Sequence, residues 1–316
     1  MGFGLPGFLS RLKDVPAATA SKFLRRNAGD TAFEWAEAGG AASHPAINDF
    51  RLTLASGIPV TVSDVIGATT IYCTPCIGTQ IALYDGSAWN IRTSSEFSIA
   101  LGTLTSGRPY DVFCYDNAGT PTLEMLAWTN DTTRATGLST QDGVLVKSGA
   151  ATRRYLGTFY TTATTTTEDS VTSRYLWNYY NRSPRVMYRE ETTSAWNYTT
   201  AVFRQANNNI ANQLNFVIGV NDSAVSVQLH CRRASATTGN TIAGIGLDST
   251  TATINYTGSR GYLPTFVSGL YNTSEAWYQG NIAIGRHYFS WLEYSDTGGT
   301  TTWAGTVSAI GGVILA

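Results

Sequence analysis

Short runs in which apolar and polar residues alternate recur at roughly ten-residue spacing over most of this chain, with turn signals between them. Alternation at period two turns one face of a strand to a core and the other to water. Regular spacing of such runs fits a sandwich or a partly closed barrel. Composition points the same way. Of 316 residues, 45 are threonine and 31 glycine, and only 14% are charged. Threonine suits a pleated surface, while glycine and asparagine supply turns. With 43% hydrophobic and 12% aromatic residues, the chain is too apolar for disorder. An all-β fold is expected.

The pattern divides the chain into three parts. Residues 1–47 hold most of the helix-compatible sequence, and Phe8, Leu9 and Leu12 stand at helical spacing. Asn27-Ala28-Gly29-Asp30 is turn chemistry, flanked by Phe23-Leu24 and by Phe33 and Trp35, which predicts a small hairpin. Glu37 to Ser43 reads as a linker. Residues 48–170 read as one β domain, with a tight hairpin at Asp85-Gly86 and a longer turn at Asp116 to Gly119. The threonine run 161–167 reads as a linker or edge strand, which puts a boundary near residue 170. Residues 171–316 form a second β region. It ends in the apolar run Gly311 to Ala316, expected to lie in a core or between subunits.

Several functions are disfavoured. Lys and Arg number 21 and Asp and Glu 22, for a net charge of -1, so no nucleic-acid partner is expected. No apolar run is long enough for a membrane-spanning helix, and the first residues lack the charged start of a secretory signal. Cys73-Thr74-Pro75-Cys76 is a C-x-x-C in all-β surroundings, read as a tight turn with free or bridged thiols. His44, His230 and His287 match no ligand spacing, so neither a metal nor a cofactor is expected. The nearest carboxylate pairs are Glu190 with Glu191 and Glu293 with Asp296. Neighbours on a strand face opposite ways, so no catalytic residue is assigned. Between Arg174 and Arg204, five arginines interleave with aromatics such as Trp177, Tyr188 and Tyr198. That mixture suits either a stacking platform or a packed seam. In the turn-rich stretch 270–280, Tyr271, Trp277 and Tyr278 are ligand-binding candidates, with core packing as the alternative.

The segment Lys22 to Trp35 resembles a short hairpin motif that recurs in bacteriophage tail-fibre proteins. Residues 81–157 are similar to a β domain common in phage fibre and virion proteins. The phrases that carry this are Leu83-Tyr84-Asp85-Gly86, Tyr110-Asp111-Val112-Phe113 and Trp128 to Arg134, continued by Leu176 to Arg182. The resemblance covers about residues 22–182. It implies a non-enzymatic virion protein, an elongated homotrimer built as a short attachment segment followed by two β-sandwich or jelly-roll-like domains. Phe8, Leu9, Leu12, Phe23, Leu24, Phe33 and Trp35 would attach it to other virion proteins. The last domain would adhere to a host-surface glycan, with no membrane insertion. A head-decoration or collar fibre with a purely structural role is the alternative, and a glycan depolymerase on the same trimeric plan is a third reading.

Overall fold

The computed structural model describes residues 22–26, 33–37, 44–235, 240–263, 270–296 and 299–316. The chain divides into two compact units, Met1–His44 and Pro45–Ala316. In the first, strands Lys22–Arg26 and Phe33–Glu37 pair antiparallel, with Lys22 opposite Glu37 and Arg26 opposite Phe33. This is the hairpin read from the sequence. Phe8, Leu9 and Leu12 lie outside the described residues.

The second unit is all-β. Among the described residues its only helical element is the 3-10 turn Ala206–Asn208. The hairpin at Asp85-Gly86 forms with a four-residue loop, since Tyr84 pairs with Trp89. Gly86 takes φ +106, and the Asp85 carboxylate accepts from the backbone N–H groups of Ser87 and Ala88. The second hairpin is tighter than expected. Asn117 pairs directly with Thr120, leaving the two-residue turn Ala118-Gly119 with both residues at positive φ, as a type I′ turn requires.

Two main cores hold the unit together. One lies between a three-stranded sheet, carrying Phe50, Leu52 and Ile71, and a six-stranded sheet carrying Val112, Leu156 and Phe159. The other fills the space between an eight-stranded sheet, with Phe216, Phe289 and Trp291, and a five-stranded sheet, with Val227, Leu229 and Ile310. Phe113, Tyr155 and Trp177 belong to this second core as well.

Strand pairing continues across residue 170. Strand Thr167–Asp169 pairs with Val65–Ala68 on one side and Ser173–Arg174 on the other, and Ser173–Arg174 runs parallel to Gln213–Ile218. The threonine run is neither linker nor edge strand. Thr161 bridges to Thr167, and Thr162 N–H donates to Thr166 O, so the run closes as a turn.

A buried charge cluster ties these segments together. Asp169 accepts from Arg174 at 2.9 Å and from Arg185 at 2.7 Å. Arg185 also reaches Thr61 O, and Arg174 reaches Val186 O. Arg51 donates to Asn181 O and Ala316 O. Burial, then the nearby Arg185, lowers its pKa to about 10. Ile314 and Ala316 are almost fully enclosed by this chain, while Val313, between them and Gly312, is 40% exposed. Replacing Asp169 by Asn leaves two buried guanidinium groups without their counter-charge, and should cost about 3 kcal/mol in urea unfolding. A loss well below about 1 kcal/mol would mean that the backbone carbonyls alone satisfy both arginines.

Candidate functional site

The five-stranded sheet carries the most exposed aromatic surface of known register. Its order is Pro184–Glu190, Thr301–Leu315, Ala224–Ser235, Asn272–Asn281, with Ala195–Tyr198 also paired to the long strand. The alternation is clean in Ala224–Ser235. Val225, Val227, Leu229 and Cys231 are buried, while Ser226, Gln228, His230 and Arg232 are exposed. The inward set fills the core, so the outward set forms a flat face in water.

Register places four residues in one row across that face. Tyr188 lies opposite Gly311, Gly311 opposite Gln228, and Gln228 opposite Trp277. Tyr188 is 45% exposed and Trp277 50%. The row thus has an aromatic on each edge strand, with glycine and an amide between them. A neighbouring row runs Glu190, Ala309, His230 and Glu275. The other neighbour runs Val186, Val313, Ser226 and Gln279. A groove of about 360 Å³ lies between Tyr188 and Gln228, floored by Gly311 and Gly312.

Local bonds fix these groups. The Tyr188 hydroxyl donates to Glu190 at 3.0 Å. The Trp277 ring meets the Tyr256 edge at 5.0 Å, and the Trp277 backbone N–H donates to Gly258 O. Gln228 Nε2 donates to Glu275 Oε2 at 3.0 Å, and His230 Nδ1 lies 3.5 Å from Glu275 Oε1.

The three ligand-binding candidates are not brought together. Trp277 stands on the face. Tyr271 is 42% exposed at the end of the same strand, under the Arg232 guanidinium at 4.8 Å. Tyr278 points the other way, is 8% exposed and packs on Tyr256 and Phe289. Adjacent strand residues cannot share a face, so Tyr278 is a core residue and leaves the candidate set. Tyr188, Gln228, His230 and Gly311 join the site. The 174–204 stretch proves mixed. Arg174, Trp177 and Arg185 are buried, and Tyr188, with Val186 and Glu190 on the same strand, serves the face.

The other motifs resolve into structure. All four described cysteines are free thiols. Burial pushes Cys114 up to about 12 and Cys231 up to about 11, which leaves both unreactive. His287 is held between Asp248 and Ala283 O. Glu190 and Glu191 face opposite ways, and Glu191 is held by Asn209, Asn212 and the Thr193 N–H. Asp296 lies beside Asn240, whereas Glu293 is buried under Trp196, Arg204 and the Asn207 N–H. Burial pushes Glu293 up to about 7, with the bonds to Trp196 and Arg204 pulling the other way. A larger cavity, about 490 Å³, opens beside Arg204 and Arg286, but Glu293 and Asn215 already hold these guanidinium groups.

No family model matches the sequence, and no curated protein matches it. Solved structures align only weakly. The insecticidal delta-endotoxin Cry8Ea1 of Bacillus thuringiensis is 7% identical, with 84% of this chain and 51% of that one covered, at a TM-score of 0.26. Infectious bursal disease virus, Gx strain, gives 12% identity, 80% and 70% coverage, and a TM-score of 0.27. A Paenibacillus cycloisomaltooligosaccharide glucanotransferase complexed with cycloisomaltoheptaose gives 14% identity, 39% and 17% coverage, and 0.20. The chain spans about half the length of the first of these. Likenesses this weak carry no argument about function.

Two outcomes follow from the placement of Tyr278 and Glu293. Tyr278→Ala should cost about 3 kcal/mol in urea unfolding and Trp277→Ala about 1 kcal/mol or less, because only the first opens a core cavity. Equal losses would contradict the facing of this strand. Glu293 titrates near 7 folded against an ordinary 4.5, so the folded state holds its proton more tightly across that window. Its contribution to stability is therefore largest below 4.5, falls as pH rises through 7 and then levels, by up to about 3 kcal/mol. Glu293→Gln should flatten that slope when unfolding is compared at about pH 5 and about pH 8.

Proposed function

We propose that this chain is a virion-surface fibre protein that adheres to carbohydrate through the outer face of the five-stranded sheet, without chemistry. The observation that carries the reading is the row from Tyr188 to Trp277, two exposed aromatics on rigid strands with hydrogen-bonding groups between them. Aromatic rings bring large apolar area at little entropic cost, and amide and carboxylate groups fix orientation. A face held by strand ladders is pre-organised, so binding loses little to ordering. The resemblance of residues 22–182 to phage fibre proteins supports placing that face on a virion.

The same resemblance is the support for a homotrimer. Three copies would offer three weak sites to one surface, and effective concentration would then supply avidity. A purely structural collar or decoration role would leave the face without a required ligand.

Adsorption to host cells tests the reading. Combining Tyr188→Ala with Trp277→Ala should lower adsorption by at least about tenfold, with assembly and unfolding midpoint nearly unchanged. Unchanged adsorption would favour the structural role. Light scattering of the full chain should give a mass near three chains, and a monomer would remove the avidity argument.

A further inference from the structure

Resting on that adhesion reading, we propose that this face takes an uncharged oligosaccharide of at least trisaccharide length, seated in the groove beside Tyr188 and laid over Gln228 to Trp277. Four strands separate the two rings by three inter-strand spacings, about 14 Å at the backbone. A single sugar ring reaches one aromatic, and only a chain reaches both. The direction is set by the two aromatics. Gly311 removes the side chain that would otherwise stand in the row between Tyr188 and Gln228, the groove is bounded on the far side by Ser226, Gln228 and His230, and Trp277 lies one strand beyond Gln228. Val313 and Ala309 border the groove on the long strand.

Charge selects the class of chain. The groove lining holds no Lys, Arg, Asp or Glu. The row beside it ends in two carboxylates, Glu190 and Glu275, at opposite edges of the sheet. The guanidinium of Arg232 lies over Tyr271, beyond that row. A uronic, sialic or sulfated chain would thus meet negative groups at both ends and no lysine or arginine in the groove, whose one histidine, His230, lies 3.5 Å from Glu275, a like-charge placement that suppresses wrong partners. Uncharged hydroxyls and N-acetyl groups suit what is there. The Gln228 amide nitrogen is engaged by Glu275, which leaves its carbonyl oxygen to accept from a ligand hydroxyl.

Gly311 also supplies a clean variant. A Cβ there would meet Met187 O at 3.4 Å and Tyr188 Cδ2 at 3.6 Å, both ordinary contacts. Gly311→Ala should therefore fold normally while raising the floor.

The experiment is a glycan array, followed by titration, with the full-length wild type and the Gly311→Ala, Tyr188→Ala and Trp277→Ala variants. The probes are neutral, N-acetylated and acidic oligosaccharides from one to six sugars. Neutral or N-acetylated chains of three sugars or more should bind at least about tenfold better than their monosaccharides, and each variant should weaken them about tenfold with an unchanged melting temperature. Preference for acidic chains, equal binding of monosaccharides, or sensitivity to Trp277→Ala alone would overturn this occupant and leave adhesion standing. Binding of no carbohydrate, or binding indifferent to all three variants, would overturn the adhesion reading itself.

Discussion

The register of one long strand governs the C-terminal half of this protein. Thr301–Leu315 is bonded to Pro184–Glu190, Ala195–Tyr198 and Ala224–Ser235. A slip of one residue would turn Ile310 and Ile314 to water and bring the outward glycine row into the core. The strand keeps register despite an interruption. Between the pairings His230 with Ala309 and Arg232 with Ala304, it carries three more residues than its partner. Ser308 stitches the gap, accepting from Arg232 N–H and donating to Ala304 O. Trp303, on one side of the excursion, and Ile310, on the other, both end up fully buried. Such a bulge re-aims a strand without ending it.

Buried arginine does related work in the other half. Arg154 reaches Pro45 O and Ala82 O, Arg134 reaches Asp111 and Gly219 O, and Arg51 reaches Asn181 O and Ala316 O. Each joins segments far apart in sequence, mostly through backbone carbonyls. A guanidinium suits this because its fork offers five donors and stays charged when buried. These buried arginines thus fasten irregular segments together.

What was legible in the sequence was local. The hairpins at Lys22–Glu37 and Asp85-Gly86 were readable because turn residues and alternation lie within a few positions of each other. Composition says nothing about the pairing of Thr167–Asp169 with a strand a hundred residues earlier. The candidate face was half visible. Trp277 was found, but its neighbour Tyr278 was grouped with it although alternation sends it to the other side. The exposed set of Ala224–Ser235 was available from period two alone. Tyr188 and Gly311 could not be joined to it, since cross-strand rows are fixed by long-range pairing.

The glycine floor has a bearing on how such a face changes over generations. Backbone makes the bottom of the groove, while the rim residues Tyr188 and Gln228, and Trp277 beyond them, point to water and contribute little to the core. Mutations at the rim therefore bypass the stability threshold that purges most core changes. Variation can run through many rim combinations on one unaltered scaffold, and a new partner becomes reachable by single steps that each leave a folded protein.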